Sequence, residues 1–156
     1  MSICTGCGDK GKTTLFSKEL ISKSDIRFTT LGDLDELSAA LGFVKVIIEN
    51  KDFYEKAQKT IIKISAFIAS GDFQYILSQS EADLNEAKEE VKLTSFSLPG
   101  ESELNARLHL ARTVARRAER SYVALCEALP SCADPCALMF LNRLSDALFI
   151  ESVKTK

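Results

Sequence analysis

The sequence predicts an all-α fold, a five-helix up-and-down bundle. Three observations carry that prediction. Apolar residues recur at three- and four-residue spacing through separate segments of the chain. No segment shows a convincing two-residue alternation, the mark of a half-buried strand. The segments are divided by sharp breaks, at Phe96-Ser97-Leu98-Pro99-Gly100 and at Pro130. A chain of 156 residues fits one domain and can bury a real core, so the helices are expected to share one.

Residues 1–30 are mixed and polar and read as an N-terminal loop, with the bundle spanning 31–156. Gly6, Gly8 and Gly11 fall close together in that loop, a composition that brings backbone N–H groups near a ligand. The first helix is expected over 31–50, where Leu34, Leu37, Leu41, Val44 and Ile48 follow helical spacing. Asp33 with Glu36 suggests a capped start. A second helix is expected over 52–77, with Ala57, Ile61, Ile64 and Ile68 on one face and a bend at Gly71. A shorter acidic helix follows over 80–92, opened by Ser80-Glu81-Ala82-Asp83. The fourth runs from about Ser102 to Leu129, where Pro130 stops it. The fifth starts near Asp134-Pro135, with proline in the first turn, and carries Leu138, Leu141, Leu144 and Leu148.

Composition narrows the function. A hydrophobic share of 46% and a charged share of 27% are ordinary for a soluble globule. A net charge of −2 argues against a general nucleic-acid surface. No apolar run is long enough to span a bilayer, and no signal peptide is evident. Five cysteines in a chain without a leader point to reduced thiols in the cytoplasm.

The fourth helix is the richest in chemistry. At 100° per residue, Leu104, Leu108, Ala111, Ala115, Ala118, Tyr122 and Leu125 form an apolar stripe. Beside it run Asn105, His109, Arg112, Arg116 and Glu119, with Arg120 at the edge. Arginines every four residues repel by a few tenths of a kcal/mol per pair, so an anion is wanted there. Guanidinium suits bidentate phosphate contacts, while the plainer reading is a solvated basic face.

Other patterns carry less. Gly6 to Thr13 satisfies G-x-x-x-x-G-K-[ST], but a P-loop needs a core strand before it, and only five residues precede Gly6. A P-loop fold is therefore rejected, although glycine, lysine and threonine still suit a triphosphate and its metal. Cys4, Cys7, Cys132 and Cys136 could supply four thiolates to zinc, but idle cysteines are the commoner case. His109, the only histidine, is read first as a core or interface residue. On the fifth helix Asn142 and Asp146 share a face, and Arg143 can pair with Asp146.

Four blocks together resemble the ATP:cob(I)alamin adenosyltransferases of the propanediol-utilisation (PduO) type. They are Thr5-Gly6-Cys7-Gly8-Asp9-Lys10-Gly11 with Thr13 and Thr14, then Gly32-Asp33-Leu34-Asp35-Glu36-Leu37, then Phe96-Ser97-Leu98-Pro99-Gly100. The last block pairs Leu108–Arg120 with Leu141-Asn142-Arg143-Leu144-Ser145-Asp146. The resemblance covers nearly the whole chain. It departs at Lys18, where the family usually has glycine, at Glu101, which replaces a second glycine, and at Cys7, inside the phosphate loop. The chain is also shorter than most members.

The resemblance implies a ferritin-like bundle forming a homotrimer with active sites between subunits. It implies transfer of the 5′-deoxyadenosyl group from ATP, with Mg²⁺, to cob(I)alamin, formed from cob(II)alamin. Thr5, Gly6, Cys7, Gly8, Thr13 and Thr14 match the family's triphosphate cradle, and Lys23 its further phosphate lysine. Arg116, Arg117, Glu119 and Arg120 match its ATP-binding run, and Asn142 its nucleotide-contacting asparagine. Arg117 sits well off the strip of Arg112, Arg116 and Glu119, which weakens the case for its direct role. Arg112 matches the arginine that bridges subunits to an aspartate, here Asp35, and Phe96 the ring that caps the corrin's lower face. A reductase and an adenosylcobalamin-dependent client enzyme are the implied partners.

Overall fold

The computed structural model describes residues 6, 8–16, 20–91 and 98–155. Thr5, Cys7 and Phe96 lie outside the described residues, as do Cys4 and Lys18. The fold is mostly helical, as the sequence predicts. Its five α-helices are α1 (Ile26–Lys45), α2 (Asp52–Ser70), α3 (Gln79–Ala82), α4 (Glu103–Ala128) and α5 (Pro135–Lys154). α4 is the centre of the packing, between α1 and α5, and α2 packs on α1.

The core is built from the apolar stripes. On α4, Leu108, Ala111, Ala115, Ala118, Tyr122 and Leu125 are fully buried. They meet Leu34, Leu37 and Leu41 of α1 and Phe140, Leu141, Leu144 and Leu148 of α5 in one cluster. Alanines at three of those α4 positions let neighbouring helices approach closely without losing helix propensity. The lower end of the expected polar stripe is buried too: Asn105 is 0% and His109 4% exposed. Asn105 accepts from the Gly100 amide at 2.9 Å and donates to the Ser152 carbonyl at 2.9 Å, which satisfies its buried amide.

Four element boundaries differ from the sequence expectation. α1 begins at Ile26, inside the segment read as loop, and its cap is Asp25, which accepts from the Arg27 amide at 2.9 Å. Asp33 is thereby one turn or more into the helix, free to bond across to α4. α2 stops at Ser70 because Gly71 takes a left-handed φ of 68° and its amide bonds the Phe67 carbonyl, closing the helix where a bend was expected.

The third difference is the expected helix over 80–92. Only one turn forms, opened by a capping box between Ser78 and Glu81. A 3-10 turn follows at Asn85–Lys88. The segment is polar on nearly every face, so tertiary ion pairs decide its path. Arg143 of α5 pairs with Asp83, and Lys154 with Glu89. Arg143 therefore does not take the expected partner Asp146.

The fourth difference is a two-stranded antiparallel hairpin, β1 (Lys12–Thr14) and β2 (Leu20–Ser22), in the N-terminal segment. Three residues per strand are too few to show a periodicity. Ile21 alone is buried, between exposed Leu20 and Ser22.

The turn from α4 to α5 is pinned by a buried hydroxyl. Tyr122 Oη donates to the Cys132 carbonyl at 2.9 Å and accepts from the Asp134 amide at 3.1 Å. Asp134 caps α5 through the Cys136 amide and holds the Leu77 amide, each at 2.9 Å. Tyr122→Phe is expected to destabilise by roughly 1–3 kcal/mol, because a buried amide loses its acceptor. Urea unfolding measures it; an unchanged midpoint contradicts the pinning role.

Lys63 reaches Glu81 at 2.8 Å, and with the Ser78 amide and hydroxyl it holds the Glu81 carboxyl down at about 2 instead of 4.5. A depressed carboxyl stabilises above its unfolded pKa and loses that contribution as pH falls through the folded value. Glu81→Gln is expected to flatten the fall in stability below pH 4.5, followed by thermal melts in acid.

Candidate functional site

The hairpin shapes the first half of the site. Gly6 and Gly11 both hold positive φ, 69° and 71°, where a side chain would be strained. Turn hydrogen bonds run from the Asp9 amide to the Gly6 carbonyl and from the Gly11 amide to the Gly8 carbonyl. The Lys23 amide closes the hairpin on the Gly11 carbonyl at 2.9 Å. A Cβ on Gly8 would stand 2.8 Å from Lys23 Nζ. Glycine there lets the ammonium lie against the loop backbone, so Gly8 and Lys23, 15 positions apart in sequence, form one cationic corner. Thr13 and Thr14 are on the adjoining strand, with Thr14 exposed.

α4 supplies the second half. It carries five arginines, and they divide by partner. Arg107 pairs with Glu103, donates to the Phe43 carbonyl and stacks 3.7 Å from the Phe43 ring centroid. Arg117 bonds Asp33 at 3.2 Å and also pairs with Glu36. Arg112, Arg116 and Arg120 make no hydrogen bond or ion pair among the described residues. These three are the ones spaced one turn apart.

Arg116, Glu119, Arg120, Val123 and Asn142 line a cavity of about 270 Å³ between α4 and α5. Asn142 Nδ2 donates to Glu119 Oε1 at 3.1 Å, which fixes the carboxylate and leaves the amide oxygen available. The sequence-predicted Arg116, Glu119, Arg120 and Asn142 are thus brought together. Arg117 is not part of this wall.

A second cavity, of about 330 Å³, lies against Pro99, Gly100, His109, Leu110 and Arg112. His109 sits edge-on to Phe149, with centroids 6.4 Å apart, and the Arg112 guanidinium lies 5.8 Å from the same ring. Arg112 Nε is buried with no hydrogen-bond partner. Asp35 is exposed on α1 and makes no ion pair among the described residues. No hydrogen bond or ion pair joins described residues 8–24 to α4.

A larger cavity, of about 420 Å³, lies elsewhere, between α2 and the α3 segment. Two of its three acidic residues, Glu81 and Asp83, are already paired with Lys63, Lys88 and Arg143, and only Glu86 has no ion pair among the described residues. No group of three or more His, Cys, Asp or Glu among the described residues could hold a metal ion. Cys132 and Cys136 are free thiols, and Cys4 and Cys7, the other half of the four-cysteine set, lie outside the described residues. Among the described residues no helix is long and apolar enough to cross a membrane.

Sequence reasoning missed two things at this site: the contact of Lys23 with Gly8, and that Glu36, open on sequence to pairing with the arginine strip, pairs instead with Arg117 off that strip. The first depends on a hairpin too short to signal itself. The second was visible only as Arg117 lying off the arginine strip.

Known proteins resemble this chain in sequence and in fold. The chain is 38% identical to the corrinoid adenosyltransferase PduO of Citrobacter freundii, over 96% of this chain and 48% of that one. It is 36% identical to a corrinoid adenosyltransferase of Mycobacterium leprae, over 96% of this chain and 88% of the relative. The chain thus spans about half the length of the PduO relatives it matches. A solved variant of the PduO-type ATP:corrinoid adenosyltransferase from Lactobacillus reuteri, complexed with cobalamin and ATP, superposes with a TM-score of 0.82 at 29% identity. That alignment covers 97% of this chain and 91% of the other. The family profile for cobalamin adenosyltransferase matches residues 3–155, and the chain belongs to that family.

Proposed function

We propose that the protein transfers the 5′-deoxyadenosyl group of ATP to cob(I)alamin, giving adenosylcobalamin and triphosphate. The observation that carries this reading is the division of the α4 arginines. Two are satisfied within the chain, and three in a row, Arg112, Arg116 and Arg120, make no hydrogen bond or ion pair among the described residues. A row of uncompensated guanidinium groups beside Asn142 suits a polyphosphate tail.

In this reaction cobalt(I) supplies the electron pair. A Co–C5′ bond forms as the C5′–O bond breaks, and the pair leaves on the triphosphate oxygen. The substrates hold the reacting atoms, so the protein's task is to position them and to stabilise the leaving charge. Arg116 and Arg120 would stabilise the negative charge gathering on the leaving triphosphate, and Glu119 with Asn142 would orient the nucleotide. The loop of Gly6 and Gly8, with Thr5, Cys7, Thr13, Thr14 and Lys23, would cradle the phosphates from the other side. Mg²⁺ brought in with ATP would help to neutralise the leaving triphosphate in that cradle.

The same features support a reading of the assembly. Among the described residues Asp35 and Arg112 have no ion-pair partner, and no hydrogen bond or ion pair ties residues 8–24 to α4. A homotrimer would bring the loop of one subunit to the arginine row of the next and let Asp35 meet Arg112 across the interface. Phe96 would cap the lower face of the corrin, with part of the ring in the cavity at Pro99 and Gly100. Loss of the lower axial ligand would make cob(II)alamin easier to reduce. The enzyme would work in the cytoplasm, supplied by a reductase and feeding an adenosylcobalamin-dependent client.

The test is an anaerobic assay with ATP and chemically reduced cobalamin, followed by the corrin absorption change and triphosphate release. Arg116→Ala is expected to lower turnover by roughly 10²–10³-fold. Without ligand the variant should melt no lower than wild type, because like-charge repulsion is relieved. Phe96→Ala should reduce the four-coordinate cob(II)alamin seen spectroscopically. Near-normal turnover in Arg116→Ala, or ATP binding by wild type with no triphosphate released, contradicts the proposal.

A further inference from the structure

Arg116 and Arg117 are neighbours on α4, but about 100° of helical rotation separates them. Arg116 lines the cavity with Asn142, whereas Arg117 turns to α1. There it ends a polar seam. Thr30, fully buried, donates its hydroxyl to the carbonyls of Ile26 and Ser121, each at 3.1 Å. Ser121 in turn donates its hydroxyl to Asp33 Oδ2. Arg117 Nε donates to Asp33 Oδ1 at 3.2 Å, and Arg117 Nη2 reaches Glu36.

Two of the guanidinium nitrogens, Nε and Nη2, are thereby engaged by carboxylates. A phosphate at Arg117 would have to compete with two anions already on it. Asp35 lies between Asp33 and Glu36 on α1 and points to solvent. Buried Leu34, Leu37 and Leu41 set the coarse rotation of α1, and the bonds at Asp33 and Glu36, on either side of Asp35, steady from α4 the direction in which Asp35 is presented.

We propose that Arg117 is a positioning residue and not a nucleotide ligand: by clamping Asp33 and Glu36 it steadies α1 and so the presentation of Asp35 at the active site. The proposal rests on the reading of the α4 cavity as the nucleotide site and of Asp35 as the partner of Arg112 across the subunit interface. It departs from the role that family resemblance implies for Arg117. Two arginines adjacent in sequence then have separate tasks, one facing the substrate and one holding the scaffold.

The experiment compares Arg117→Gln, Asp33→Asn, the double variant and Arg117→Lys with wild type, all assayed well below their melting temperatures. ATP affinity is measured by calorimetry and turnover by the anaerobic assay. Arg117→Gln is expected to leave ATP affinity within about twofold and to lower kcat by roughly tenfold. Asp33→Asn should do the same, and the double variant should be no worse than either single one, because both break one seam. Arg117→Lys should recover part of kcat by keeping one ion pair.

A tenfold loss of ATP affinity in Arg117→Gln overturns the proposal, since that is how a phosphate ligand behaves. Unchanged kcat with only a lower melting temperature also overturns it, leaving a purely structural ion pair. If wild type itself proves inactive, the function fails separately. The ATP affinity of Arg117→Gln then decides: unchanged affinity supports the positioning role and weakened affinity removes it.

Discussion

The row Arg112, Arg116 and Arg120 is the constraint around which this molecule is arranged. Three like charges one turn apart oppose the helix that carries them. α4 forms despite this because its other side is a fully buried stripe from Leu108 to Leu125, packed between α1 and α5. Burial of several large apolar side chains outweighs a repulsion of a few tenths of a kcal/mol per pair. The helix can therefore hold these guanidinium groups with no ion-pair partner among the described residues. For the proposed function that is preorganisation: the cost of assembling the charges is met by folding and not by binding.

The rest of the chain reads as support for that strip. α5 brings Asn142 against Glu119, so the carboxylate beside the arginines is held by an amide and not by a competing cation. α1 takes up Arg117 and Ser121 and keeps its own Asp35 outward. The N-terminal hairpin needs glycine at two positive-φ positions and at Gly8, where Lys23 lies against the backbone. Each of these is a local solution to a steric or electrostatic demand, and together they leave cationic groups on two surfaces that one chain does not join.

Much of this was readable from residue order. The α4 stripe follows from 3.6-residue periodicity, and its burial agrees position by position from Leu108 to Leu125. The α5 start at Asp134-Pro135 also holds, because cap chemistry is local. What failed was non-local. Asp33 looked like a cap because its bond to Ser121 spans most of the chain. The segment over 80–92 looked helical because its ion pairs with Arg143 and Lys154 cannot be seen from spacing. The hairpin was hidden by strands of three residues. At the site, Arg116, Glu119, Arg120 and Asn142 converge as the sequence suggested, since helix periodicity fixes three of them. The pairing state of each arginine was not readable, and it is the pairing state that separates those left without a partner from those that hold the fold.

The most direct measurement is a crystal structure of the assembled protein grown with ATP. The account predicts the triphosphate between two subunits, with Gly8, Thr13 and Lys23 of one and Arg116 and Arg120 of the next within hydrogen-bonding reach of its oxygens. A triphosphate bound away from Arg116, or held wholly within one subunit, would contradict it.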